Sequence, residues 1–286
     1  MAVCNVCFRH CEIPEGSSGF CGVRYCVEES VVTANYGRVT SLALDPIEKK
    51  PFARFHPGSM ILSVGSYGCN LRCPFCQNHE ISWSREAMRI GEQASYVPPT
   101  KLVQAALDCQ DRGNIGIAFT YNEPLVGYEY VRDTAQPAHE AGLLNVMVTN
   151  GTASLEVLSE LAPYIDAMNI DLKGFTDSYY RDVLGGDLDM VKEFIARAVQ
   201  VCHVELTTLI VPGENDSEEE IASLSRWVAG LRAANGRPVG SDIPLHISRF
   251  FPRFHMTDRG ATDVSLVYHL AAVARDSLRY VYTGNC

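Results

Sequence analysis

From Met60 onward, short apolar runs alternate with stretches in which apolar residues recur every three or four positions. The runs Ile61–Gly65, Ile115–Phe119, Leu144–Thr149, Ala167–Ile170, Val204–Val211 and Pro244–Ser248 read as buried strands. Helical periodicity falls between them, near Pro99–Arg112, Leu125–Ala141, Ser154–Leu161, Asp189–Val201 and Ser217–Ala234. A last helix, about Asp263–Leu278, leads into a short strand at Tyr280–Thr283. Asp216-Ser217 ahead of Glu218–Glu220 marks a helix start, because acidic side chains suit the positive end of a helix dipole. Strands alternating with helices predict an α/β fold of parallel βα units, whose right-handed crossovers curl into a barrel or partial barrel. In such folds the chemistry sits on the loops after the strands' C-terminal ends.

Residues 1–58 have another texture, rich in Cys, Gly and Pro and with little periodicity. They predict a loop-dominated extension with one hairpin, Val31–Asn35 with Val39–Leu44 around Gly37. Two units are therefore expected, a Cys-rich metal-binding extension at 1–58 and the barrel at 59–286.

Composition narrows the function. With 286 residues, 47% hydrophobic and 20% charged, the chain is an ordinary globular protein, which excludes wholesale disorder and a disulfide miniprotein. A formal charge of −10 argues against a nucleic-acid partner, whose footprint is a basic face. No apolar run approaches the roughly 18 residues that span a bilayer, and Met1–Glu15 lacks a signal-peptide core. A cytoplasmic protein with no membrane partner is the expectation. Eleven cysteines, an odd number, then point to metal rather than to disulfides.

Cys69, Cys73 and Cys76 stand as Cys-x3-Cys-x2-Cys on the loop after the first barrel strand. Thiolates hold iron–sulfur clusters, usually four to a [4Fe–4S] cube, so three leave one iron open to a small molecule. A zinc site completed from afar, or unligated core thiols, are the other readings. With Phe75 before the last cysteine, this motif resembles the radical S-adenosylmethionine superfamily. Asp45–Pro51, Tyr121-Asn122-Glu123-Pro124, Thr149-Asn150-Gly151, Asp171-Leu172-Lys173-Gly174 and Val211-Pro212-Gly213 extend the likeness over nearly the whole chain. The closest resemblance is to the AmmeMemoRadiSam-system branch, related to pyruvate formate-lyase activating enzymes.

The resemblance implies a partial (β/α)6 barrel in which a [4Fe–4S] cluster on Cys69, Cys73 and Cys76 binds S-adenosylmethionine. A low-potential donor of flavodoxin or ferredoxin type would reduce the cluster, and the sulfonium would break to a 5′-deoxyadenosyl radical. Cofactor contacts are expected from Phe75, Asn122, Glu123, Thr149, Asn150, Asp171, Lys173 and His246. Glu123 supplies charge for the methionyl ammonium, and Lys173 can neutralise its carboxylate. The chain departs from the related activating enzymes in carrying Tyr121-Asn122 for glycines, Val148 for a cation-binding Asp, and Thr207-Thr208 near an arginine position. His246 in its apolar strand reads equally as a satisfied core residue. Lys49-Lys50 reads as a solvated pair, and Arg249–His255 should line the barrel mouth.

Cys4, Cys7, Cys11 and Cys21 gather four thiols in one Gly-rich segment, fitting a zinc knuckle, an auxiliary iron–sulfur cluster or unligated thiols; Cys26 is surplus. The functional readings are hydrogen abstraction from a small-molecule substrate, installation of a glycyl radical in a partner protein, and a non-catalytic metal-stabilised sensor. Similar chains run on past Tyr282-Thr283-Gly284-Asn285 into a further cysteine pair, so either a short form or a truncated chain is expected here.

Overall fold

All six predicted runs are strands of one eight-stranded sheet in the computed structural model, which describes residues 1–286. In chain order the strands are β1 (Ser41–Pro46), β2 (Met60–Gly65), β3 (Asn114–Phe119), β4 (Leu144–Thr149), β5 (Ala167–Asp171), β6 (His203–Ile210), β7 (Leu245–Arg249) and β8 (Val281–Gly284). Each pairs only with its neighbours in sequence. The ladders from β2 to β8 are parallel, and β1 lies antiparallel on β2. β1 and β8 are edges that do not meet, so the α/β sheet is an open, partial barrel.

The helices are α1 (Arg85–Glu92), α2 (Pro99–Leu107), α3 (Tyr128–Glu140), α4 (Leu155–Leu161), α5 (Leu188–Ala198), α6 (Glu218–Ala229) and α7 (Val264–Arg275). Side-chain caps start most of them: Ser154, Asp187, Ser217 and Asp263 each accept a backbone N–H from the first turn. α6 is shorter than its periodicity suggested. It stops at Ala229, where Gly230 follows and Arg232 turns back to pair with Pro238. No helix is long and apolar enough to cross a membrane.

Two elements differ from expectation. The hairpin at 31–44 does not form: Arg24–Val27 pairs with Ser30–Thr33, Val39 pairs with Ser95, and Ser41–Pro46 leaves for the main sheet. The tight turn at Glu28-Glu29 puts both residues at positive φ, 50° and 60°. Glu15, distant in sequence, holds that turn by accepting both backbone N–H groups at 2.7 and 3.2 Å. Helix α1 gave no signal because only Ala87 and Gly91 are buried, too few for an apolar stripe. Ile47, Phe52, Ile61, Ala118, Val146 and Ala167 form a separate small apolar cluster.

Candidate active site

The loop after β2 carries the three cysteines, and its path is fixed by backbone geometry. Gly68 sits at φ +96°, and a Cβ there would stand 2.6 Å from Val23, so only glycine fits. Asn122, after β3, clamps the loop: its amide donates to the Tyr67 and Gly68 carbonyls at 3.1 and 3.2 Å and accepts from Ser66 N at 3.0 Å. Further along, the Pro74 carbonyl accepts from His255 N at 2.8 Å, which folds the segment after β7 onto the loop. Phe75 is buried edge-on against Phe250, with ring centres 6.1 Å apart. Burial pushes the Cys73 thiol up to about 11, and the Cys69 thiol well above its ordinary value. Two donors nevertheless aim at the Cys69 sulfur, Leu71 N at 3.5 Å and Asn150 Nδ2 at 3.8 Å. Such donors favour a thiolate.

Glu123 joins the ends of β3 and β4. Its buried carboxylate accepts from Thr149 Oγ1 at 2.6 Å, Asn150 N at 2.8 Å and Leu125 N at 3.0 Å. Burial outweighs these bonds and raises its pKa to about 7. A carboxylate has about four acceptor positions, so one remains for an incoming cation. Gly151 follows at φ +69°, with Ile170 2.9 Å from where a Cβ would stand, and turns Asn150 back towards the cysteine loop. There Asn150 Nδ2 donates to Asn70 Oδ1 at 2.9 Å.

At the end of β5, Lys173 and Asp171 pair at 2.7 Å, both partly exposed. Burial disfavours charge on Lys173, but Asp171 and the neighbouring Cys73 prevail and push its pKa up, so it stays cationic. Asn215, unexpected from sequence, donates to the Lys173 carbonyl at 2.6 Å and to the Leu209 carbonyl at 2.8 Å, tying β5 to β6. Tyr180 Oη accepts from Lys173 N at 3.0 Å, while the buried Tyr179 hydroxyl has no partner and lies near Cys73 and Lys173. Asn122, Glu123, Thr149, Asn150, Asp171 and Lys173 are thus gathered at consecutive strand ends around the three-cysteine loop.

His246 is not brought there. Its Nε2 lies 2.6 Å from Glu205 Oε2, and its ring stacks on Tyr282. Glu205 in turn accepts the Ala53 and Arg54 N–H groups at 2.9 and 2.8 Å, in the segment that follows β1. His246 is therefore a satisfied core histidine holding that segment. Lys50 also departs from the sequence reading. Lys49 is solvated, but Lys50 is buried against Asp45 at 3.0 Å and lies over the Tyr121 ring. Tyr121 itself takes φ +74°, a conformation natural to the glycine expected there, and its hydroxyl donates to Asp45 at 2.9 Å. The run Arg249–His255 does flank the cysteine loop, with Phe254 stacked on His79 at 4.3 Å and Arg253 exposed.

Sequence reading missed Asn70, Arg9 and Arg72. Arg9 Nε donates to the Asn70 carbonyl at 3.0 Å, and Arg72 Nη1 to the Cys69 carbonyl at 2.8 Å. Both guanidinium groups lie over Phe20, at 3.2 and 3.9 Å from its centre. Contacts that span 61 positions, as Arg9–Asn70 does, leave no local signal. Cys4, Cys7, Cys11 and Cys21 line one pocket beside Arg9 and Asn70. The thiols are not drawn into a closed cage: no group of three or more His, Cys, Asp or Glu side chains stands at metal-binding spacing. The donor set of the loop after β2 nonetheless fits an iron–sulfur cluster, with three thiols from one loop, N–H groups aimed at sulfur, and Arg72 as a nearby positive charge.

The profile of the radical SAM superfamily matches residues 63–225. An uncharacterized protein of Methanocaldococcus jannaschii is 38% identical over 99% of this chain and 80% of its own length. The 4-hydroxyphenylacetate decarboxylase activating enzyme of Clostridioides difficile is 26% identical over 40% of this chain and 37% of its own. Among solved structures, Streptococcus suis SuiB bound to S-adenosylmethionine superposes with a TM-score of 0.57 at 15% identity, over 79% of this chain and 52% of that one.

Proposed function

The chain belongs to the radical SAM superfamily, and on that premise we propose that it abstracts a hydrogen atom from a glycine of a partner protein. As a member it is an enzyme that uses a [4Fe–4S] cluster and S-adenosylmethionine. When bound, the reduced cluster supplies the electron that splits S-adenosylmethionine into methionine and a 5′-deoxyadenosyl radical. The observation that carries the assignment of residues is the ring of strand ends around the three-cysteine loop.

Cys69, Cys73 and Cys76 hold the metal in this reading. The acceptor position left on Glu123 receives the methionyl ammonium, and Thr149 and Asn150 fix that carboxylate in place. Lys173, kept cationic by Asp171, faces the carboxylate end. Asn122 does not reach the cofactor through its side chain, whose amide is spent on the cysteine loop. It sets the loop's position instead. Phe75 and Phe250 close the apolar wall that keeps water from the radical.

The choice of a protein substrate over a small molecule rests on the activating-enzyme relatives. The test uses anaerobically reconstituted protein with about four irons on the loop. A strong reductant should yield 5′-deoxyadenosine and methionine, and Cys73→Ala should abolish both the iron and the cleavage. Candidate glycyl-radical proteins deuterated at glycine should pass deuterium into 5′-deoxyadenosine and gain a glycyl radical signal. Transfer from a deuterated small-molecule pool, with none from the proteins, would reverse the assignment of substrate.

A further inference from the structure

We propose that Cys4, Cys7, Cys11 and Cys21 bind a single tetrahedral zinc ion that braces the wall of the active site. The four side chains line one pocket, while Cys26, the fifth thiol of the segment, lies outside it and donates to Glu15 at 3.2 Å. Four thiols and no fifth match the donor number of structural zinc, and an ion would draw them together from a spacing that is not yet that of a metal cage. The backbone folds tightly around them: Cys4 N donates to the Cys11 carbonyl at 3.0 Å, His10 N to Cys7 at 3.2 Å, and Gly22 N to Gly19 at 3.0 Å.

Charge favours an anionic metal–thiolate centre at this place. Arg9 and Arg24 line the same pocket. Arg24 has a carboxylate, Glu129 at 2.6 Å, but Arg9 donates only to the carbonyls of Asn70 and Gly185. A partly buried guanidinium without an anion is costly. Zinc with four thiolates carries two net negative charges, and it forms by releasing the thiol protons, so it supplies the missing anion.

The site reaches the chemistry through the backbone. Ser154 N donates to the Val6 carbonyl at 2.8 Å, Cys7 bridges to Ala153, and Arg9 holds Asn70 in the cysteine loop. Fixing Cys4–Cys21 thus fixes both the turn after β4 and the loop after β2.

The test separates this site from the iron loop. In a full-length chain carrying Cys69→Ala, Cys73→Ala and Cys76→Ala, cobalt(II) should bind once per chain with the visible bands of a tetrahedral thiolate complex, and equimolar zinc should displace it. Cys11→Ser in that background should weaken cobalt binding at least tenfold, and Cys26→Ser should leave it unchanged. Absent bands, or bands indifferent to Cys11→Ser, would overturn the proposal. Metal analysis of the wild-type chain reconstituted anaerobically should give one zinc beside about four irons. About eight irons and no zinc would replace zinc by a second cluster. Zinc without iron would sustain this proposal while removing the reading of the Cys69 loop.

Discussion

Glu123 does two jobs with one carboxylate, and substitution separates them. Glu123→Gln keeps an acceptor oxygen but turns an amide N–H₂ either towards Asn150 N–H or towards Thr149 Oγ1 and Leu125 N–H, all of which donate now. A buried donor facing donors costs about 1–3 kcal/mol. The expected result is a lower melting temperature and at least tenfold weaker S-adenosylmethionine binding, with iron content unchanged because no cluster ligand is lost. Calorimetric binding with parallel iron analysis checks both. Lys50 offers a test free of the cofactor. Its buried ammonium pairs with the half-buried Asp45, which keeps Lys49 and the Tyr121 hydroxyl as partners, so Lys50→Met loses one charged hydrogen bond and should destabilise by about 1.5–3 kcal/mol. Lys49→Met, at an exposed side chain, should change stability by less than about 0.5 kcal/mol. Denaturant midpoints for the pair decide whether Lys50 is structural. Sequence alone made these two lysines look alike, since adjacency along the chain says nothing of which one points inward.

At the scale of elements, the strands were legible and their attachments were not. Leu144–Thr149 was read to the residue because a parallel strand buried on both faces is a continuous apolar run bounded by polar turns. β1 was assigned to a hairpin because its pairing with β2 depends on partners 14 to 24 positions away. The strand ends could be read as a site because polar residues there break an apolar pattern; His246 broke the pattern for another reason. It belongs to a network in which Glu205, on β6, holds the Ala53-Arg54 segment and two histidines. Burial alone would raise the Glu205 pKa, but these bonds lower it to about 2. Its folded value lies below the unfolded one of about 4.3. The stabilisation is therefore full above the unfolded value and is lost as pH falls through the folded one. About two pH units correspond to about 3 kcal/mol. Glu205→Gln should lose roughly that stability at neutral pH and flatten the acid limb of the stability curve between about pH 4.5 and 2. Thermal melts of both proteins across that window measure it, and parallel acid limbs would exclude Glu205 as the source.

Across the whole molecule, the N-terminal segment meets the rest of the fold through a few long-range polar contacts made by Arg9, Arg24, Val6 and Phe20, and Arg9 makes two of them. It bonds Asn70, 61 positions on, and Gly185, 176 positions on, and lies over Phe20 within its own segment. Two of the joined pieces lie on the path of the three-cysteine loop: Asn70 follows Cys69, and the Arg72 N–H donates to the Leu184 carbonyl, next to Gly185. A side chain so placed couples the order of one segment to another. Arg9→Ala removes both bonds and the stacking while leaving every thiol in place. Each lost bond to a charged donor is worth about 1.5–3 kcal/mol, so local opening of the segment should become at least tenfold more frequent. Hydrogen exchange should then quicken for amides of residues 1–33 and for the loop around Asn70, with β3, β4 and β5 unchanged. Local opening spreads through contacts, so acceleration confined to residues 1–33 would show that the segment is anchored elsewhere, by Val6 on Ser154 and Arg24 on Glu129. Acceleration in both places would make Arg9 the joint between the N-terminal thiols and the active site.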